Sequence, residues 1–200
     1  MKEKLGVPEQ YSDQLATLAG FIHRACAFTG HRLQKLPWRN DENAPGCVAL
    51  KEALTSQVAA LTEDGYTEFL SGMAPGVDMW AAQIVLALRV TNPSLHLHCI
   101  LPCVEQSAKW SAALRKQYRA ILEQADSIIF VNRADKKNCM LERDRFLVSY
   151  ASLVLAVYNG EKRGGTAATV RYARKLGREL IIIDPATLTV TREEKQEAAR

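Results

Sequence analysis

The sequence predicts an α/β fold: a doubly wound, mostly parallel six-stranded sheet with helices on both faces. Three observations predict it. Short apolar runs alternate with segments of helical periodicity along most of the chain, the pattern of parallel strands joined by crossover helices. The apolar runs are near-continuous rather than alternating, as strands covered on both faces require. Three glycine-bearing loops each follow a strand, and open parallel sheets bind ligands at the carboxyl ends of their strands.

"ACAFT" (25–29) is the first strand. In "GCVALKEALTSQVAALTEDG" (46–65), Val48, Leu50, Leu54, Val58 and Leu61 recur at helical spacing, and Gly65 is placed to end the helix. "TEFLS" (67–71) is the second strand, and "GVDMWAAQIVLALRV" (76–90) a helix apolar over most of its surface, hence well buried. "LHLHCIL" (95–101) is the third strand, stopped by Pro102. "SAKWSAALRKQYRAILEQA" (107–125) is amphipathic through Trp110, Leu114, Tyr118 and Ile121. "SIIFV" (127–131) is the fourth strand, followed by a polar loop and a short helix near 138–149. "SLVLAVY" (152–158), "GTAATVRYARKLG" (165–177) and "ELIIID" (179–184) complete the pattern as strand, helix and strand. The main domain is expected over 23–188, with residues 1–22 an added helical extension. Residues 189–200 are expected as a charged helix or tail, since Thr191 and Glu194 have capping-box spacing.

A chain of 200 residues suits one domain and needs no disulfide or metal staple. The net charge of +4 permits an anionic partner without demanding one. Five cysteines without a C-x-x-C pair argue against a disulfide framework or zinc ribbon and for a reducing compartment. With no membrane-length apolar run and no signal-peptide pattern in the first residues, a cytoplasmic protein is the expectation.

The first glycine loop is "FTGHRLQKLPW" (28–38): Thr29-Gly30 reads as a tight turn from which His31 and Arg32 project at the rim. The second is "SGMAPGVDMW" (71–80), where Gly72 and Gly76 allow close approach of backbone to a ligand and Ser71 is expected among the ligand-binding residues. Asp78 falls in the first helical turn, where it either accepts a ligand hydroxyl, such as ribose, or simply compensates the helix dipole. The third is "NGEKRGGTAATVRYA" (159–173). Gly164, Gly165 and Thr166 open a helix whose unpaired N–H groups suit an anion, with Lys162 and Arg163 as mobile cations. No P-loop or G-x-G-x-x-G signature occurs, which weakens ordinary ATPase and dehydrogenase readings. Glu105 and Trp110, after the third strand, could edge the same cleft. His96, His98 and Cys103 are better read as packed beside the sheet than as a zinc site, so no metal is expected. Arg171, Arg174, Lys175 and Arg178 gather on one helical face, a solvated surface or a nucleic-acid contact.

The ordered pieces "AFTGHR", "LPW", "SGMAPGVDMWAA", "LPC…Q…W", "AD" and "AVYNG…GGT…V.YA" resemble the YpsA-like branch of the SLOG superfamily, the DprA–Lonely Guy group, from about residue 25 to 185. The resemblance implies a Rossmann-like fold that binds nucleotides or their derivatives. By motif, it implies ligand-facing positions at Thr29, Gly30, His31 and Arg32, at Gly72, Gly76 and Asp78, and at Gly164, Gly165 and Thr166. Two positions depart from the group. Thr169 stands where Lonely Guy phosphoribohydrolases carry a glutamate, and Ser149 where a related segment carries an aspartate.

The expected strand order is 4-3-2-1-5-6, because the first and fifth strands both carry ligand loops at the switch point. The expected function is binding or sensing of a phosphate-bearing nucleotide or ADP-ribose-like compound, with no required cofactor. One alternative is hydrolysis of a nucleotide or N-glycosidic bond, with Asp78 or Glu105 supplying the catalytic carboxylate. Another is single-stranded nucleic-acid binding of DprA type. A homo-oligomer is compatible with the sequence.

Overall fold

The computed structural model describes residues 11–132 and 134–195. Six parallel strands form the sheet: β1 (Ala25–Gly30), β2 (Glu68–Ser71), β3 (His96–Leu101), β4 (Ser127–Phe130), β5 (Leu153–Val157) and β6 (Glu179–Ile183). A seventh, β7 (Val190–Glu193), adds antiparallel to β6, giving the order β4-β3-β2-β1-β5-β6-β7. The expected order of the six is thus observed, and the order reverses between β1 and β5, which pair from Cys26↔Leu153 to Gly30↔Val157.

The helices are α1 (Ser12–Gly20), α2 (Pro45–Glu63), α3 (Val77–Arg89), α4 (Ala112–Leu122), α5 (Cys139–Ser149) and α6 (Gly165–Lys175). On one face α2, α3 and α4 bury Leu54, Val85 and Ile121 against Phe28, Phe69 and Leu155. On the other, α1, α5 and α6 bury Leu18, Phe146 and Val170 against Ala27, Val154 and Ala156. Successive strand residues point to opposite faces, so a strand sandwiched between two helical layers must be apolar at every position, as β5 is. No described helix is long and apolar enough to cross a membrane.

Four details differ from the sequence reading. Residues 190–193 form a strand where a capped helix or tail was expected. β6 would otherwise leave an unpaired edge; β7 covers it, and Arg192 and Glu193 pair with Glu179 and Arg174. The helix expected from residue 107 begins at Ala112, because the Ser111 hydroxyl caps it by accepting from Leu114 N. Val104–Ser107 is instead a short 3-10 turn, and Trp110 packs edge-on against Tyr118 from outside the helix. On α2, Cys47 rather than Val48 faces the core; Val48 is exposed. Finally, Gly30 is not a turn residue but the last residue of β1. Of the expected N-terminal extension, residues 1–10 lie outside the described part.

Candidate functional site

β1 delivers Thr29 and Gly30 to the carboxyl rim, and β5 delivers residues 158–164 beside them. The two loops are tied together. His31 Nε2 lies 2.9 Å from Asn159 Oδ1, and Lys35 pairs with Glu161. The His31 ring is buried beside Tyr158, so it joins the loops rather than standing free at the rim. The Arg32 backbone bridges to Gly76, which fixes the first loop against the second.

Between these loops, α5 and the start of α6 lies a cavity of about 360 Å³. Thr29, Gly30, His31, Arg32, Asp78, Arg163, Gly164, Gly165 and Thr166, all expected at the site, line it. Ser71, Gly72 and Gly76 do not; the structure uses them to build the loop. The Ser71 hydroxyl donates to Asp78 O at 2.8 Å and accepts from Met73 N. Gly76 holds φ +98, and a Cβ there would press on the His31 carbonyl. A Cβ on Gly30 would meet Val77 at 2.6 Å, which brings α3 hard against β1.

Gly72 marks the feature that sequence reading missed. A Cβ on it would lie 1.4 Å from Arg143 Nη1. Arg143, on α5, is thereby drawn into the rim with its side chain only 4% exposed. Nη1 donates to Asp78 Oδ2 at 3.4 Å, and Nη2 reaches only the Met140 sulfur at 4.0 Å. Nε is 2.8 Å from Asp144 Oδ1 yet not aligned for a hydrogen bond. The guanidinium is therefore buried at the cavity wall between two carboxylates, with Nε lacking an aligned acceptor and Nη2 held only by a sulfur, which leaves donor capacity that a bound anion would satisfy. The signal available in sequence was "ERDR" (142–145), four consecutive charges that cannot all face solvent on one helix.

Asp78 Oδ2 also accepts from Ala74 N at 3.3 Å. Burial pushes the Asp78 carboxyl up to about 6; the Arg143 guanidinium opposes the shift and the Asp144 carboxylate adds to it. Asp144, a second carboxylate not anticipated, lies 3.9 Å from where a Gly165 Cβ would be. Four cations (Arg32, Lys35, Arg143, Arg163) face two carboxylates (Asp78, Asp144) around the cavity, so it favours an anion. Arg32 and Arg163 have no acidic partner among the described residues.

Arg32, Gln34, Ala74 and Met140 are shared with a larger, open lobe of about 1180 Å³ toward α4. Glu105 and Trp110 line that lobe, so the two carboxylates considered for catalysis, Asp78 and Glu105, stand in different lobes. Thr169 reaches neither. It is buried and its hydroxyl donates to Gly165 O at 3.0 Å. Ser149 lies at the far end of α5, where its carbonyl accepts from Arg178. The expected basic face of α6 is partly consumed: Arg174 is bidentate to Glu193, and Arg171 donates to Lys162 O. His98 bonds Glu68 and Ser127, and His96 meets Asp126, so these histidines serve the sheet.

The family described as the YspA SLOG family matches residues 26–187. A UPF0398 protein of Halalkalibacterium halodurans is 30% identical over 154 residues, 76% of this chain and 81% of that protein. One of Bacillus cereus strain AH187 is 31% identical over 157 residues, covering 77% and 84%. Among solved structures, DNA processing protein A (DprA) from Streptococcus pneumoniae superimposes with TM-score 0.56 at 16% identity. The match covers 84% of this chain and 52% of that one, so the chain spans about half the length of that neighbour. The structure reported for the unique single-stranded DNA binding mode of DNA processing protein A from Helicobacter pylori gives TM-score 0.56 at 18% identity, covering 83% and 67%.

Proposed function

The chain belongs to the YspA SLOG family, and from that premise we propose that it binds a phosphate-bearing nucleotide derivative in the cleft at the carboxyl rim. The observation that carries the proposal is the pairing of the α6 N-terminus with Arg143. Gly164 holds φ +113, a conformation that favours glycine, and the helix starts at Gly165 on the cavity wall. A phosphate seated there receives backbone N–H groups and the positive end of the helix dipole. Arg143 supplies the unspent guanidinium, and Arg32 and Arg163 close over the remaining oxygens. Asp78 Oδ1, which makes no hydrogen bond among the described residues, accepts a ribose hydroxyl. The larger lobe, with Trp110 on its wall, takes the remainder of the ligand.

A helix-end phosphate contact is worth about 0.3–1 kcal/mol when exposed and up to about 2 when partly buried. Useful affinity therefore depends on the cations and on stacking in the larger lobe. A second reading, single-stranded DNA held by the same cations, draws support from the Helicobacter pylori neighbour alone.

The test is a thermal-shift panel of nucleoside mono- and diphosphates, ADP-ribose and oligodeoxynucleotides. Ligand at a hundredfold its Kd adds about 2.7 kcal/mol, a rise of roughly 5–11 °C at about 2–4 °C per kcal/mol. Gly165→Leu should abolish the shift and keep the fold, since a Cβ at Gly165 meets nothing nearer than the Asp144 carboxylate at 3.9 Å, the longer side chain extends into the cavity that Gly165 lines, and Gly165 does not hold a positive φ. A shift from oligonucleotide alone, lost steeply with salt, replaces the proposal with the second reading. No shift from any compound sinks both. Chromatography of each hit should return it intact; a released base or phosphate would identify a hydrolase instead.

A further inference from the structure

At the wall of the larger lobe, two thiols and a carboxylate converge. Cys103 closes the β3 connection, Cys139 opens α5, and Asp135 lies in the loop before it. The two sulfurs and one carboxylate oxygen all lie within 4.8 Å of one another, and Cys139 Sγ is 3.3 Å from Asp135 Oδ1. Both thiols are buried, while Asp135 is exposed. Cys103 and Asp135 line the lobe together with Glu105. Lys136, the neighbouring cation, is engaged by Glu142 at 3.0 Å and so does not neutralise Asp135.

We propose that Cys103, Asp135 and Cys139 bind a zinc-class divalent cation, with the fourth coordination position turned into the cleft. Zinc–sulfur bonds of about 2.3 Å place tetrahedral ligand atoms about 3.8 Å apart; Cys139 and Asp135 already stand within that at 3.3 Å, and no pair of the three has to close by more than roughly 1 Å. Two thiolates select zinc over calcium or magnesium, which prefer all-oxygen shells. Three protein ligands leave a position for water or for a ligand atom, as in open zinc sites. Binding replaces the two thiol protons, which leave to solvent, and makes the Zn(SR)₂(O₂CR) centre singly negative. The cation would also clamp the loop before α5 to the end of β3, and thereby hold the helix that carries Arg143. The spacing escaped sequence reading because Cys103 is distant from Asp135-x-x-x-Cys139 along the chain, and C-x-x-C was absent.

The reduced full-length protein is titrated with Co²⁺ alone and then with Zn²⁺. The expected result is one equivalent of cobalt with a thiolate-to-cobalt charge-transfer band, bleached by zinc. Zinc should protect Cys103 and Cys139, and not the other cysteines, from alkylation mapped by peptide mass spectrometry. C103S and C139S should each remove the charge-transfer band. D135N should weaken zinc binding by about 10–100-fold or more, since even outer-shell changes cost about that much. The alkylation map on unmodified protein keeps the test decisive if a variant fails to fold. Absence of the cobalt band, protection of other cysteines, or a Cys103–Cys139 disulfide with no metal uptake after reduction would overturn the proposal. Because phosphate binding is read separately by thermal shift, failure here leaves the anion pocket standing.

Discussion

At the amino rim of the sheet, His98 sits 2.8 Å from both Glu68 and Ser127, and Asp126 is held by Arg89 at 2.9 Å and by the Leu97 amide at 2.8 Å. At the carboxyl rim, Arg143 is as deeply buried as Glu68, yet its best carboxylate hydrogen bond is 3.4 Å long. Four of the six buried side-chain polar atoms without a partner among the described residues (on Trp38, Gln106, Asn132 and Arg143) belong to loops or helices at the carboxyl rim. The other two, Nε of the half-buried Arg24 and Arg178, lie at the amino rim. Both rims contain charge buried in a packed sheet, so the contrast rests on the bonds of the buried carboxylates, 2.8–2.9 Å at Glu68 and Asp126 against 3.4 Å between Asp78 and Arg143.

The two rims also carry opposite pH signatures. Glu68 is buried, which by itself would raise its carboxyl, but His98, Thr67 and His96 together outweigh burial and hold it below the usual range. Asp126 is likewise held down, by the Leu97 amide, His96 and Arg89 acting against burial. Groups lowered on folding add stability above their unfolded values and lose it as pH falls. Asp78 is raised, from 3.8 to about 6. Its contribution is fully present below 3.8 and is lost as pH rises through about 6.

The largest expected effect comes from Arg143→Ala. Removing one member of a buried charged set costs about 3–5 kcal/mol, a fall in melting temperature of roughly 6–20 °C. The variant should also lose all nucleotide-dependent thermal shift. A variant that folds less stably but keeps the shift would break the contrast, because the guanidinium would then be merely structural. Gly72→Ala should follow. It overpacks the same guanidinium, costs about 1–3 kcal/mol, and weakens binding in parallel, as titration of the nucleotide shift would show. At the other rim, His98→Ala leaves Glu68 without its partner and costs about 1–3 kcal/mol, but the shift per ligand concentration should stay at the wild-type value. The one stabilising change is Asp78→Asn. Above pH 6 it should gain up to about 3 kcal/mol, because the rise from 3.8 to about 6 already sets burial against the Arg143 counter-charge. Melting curves across pH should converge with wild type below pH 4. As pH falls through about 6, wild-type phosphate affinity should rise relative to that of Asp78→Asn, a ratio that cancels the ligand's own second ionisation at about 6, since a protonated Asp78 no longer repels the anion.

Much of the frame was legible in residue order alone. Each of the six parallel strands is built on an apolar run that the two helical layers cover, and the glycine loops of β1 and β5 pointed to those strands being adjacent. Thr29, Arg32, Asp78 and the 163–166 segment, expected at the rim from their positions at or soon after strand ends, line the rim cavity together with His31. The space at Gly72 is taken by Arg143, because a glycine that admits a ligand and one that admits an arginine look alike in sequence.

By itself the sequence determined the alternation of strands and helices, the order of the six parallel strands and the glycine-opened start of α6, because hydrophobic period and backbone freedom are local properties of the chain. Only the tertiary structure decided that Arg143 and Asp144 reach a pocket begun by Thr29 and Asp78, that Cys103 meets Asp135 and Cys139, and that residues 190–193 close an edge as β7. Those juxtapositions depend on which face α5 turns to the reversed strand order, and that is settled by packing between segments far apart in the chain, which no local pattern records.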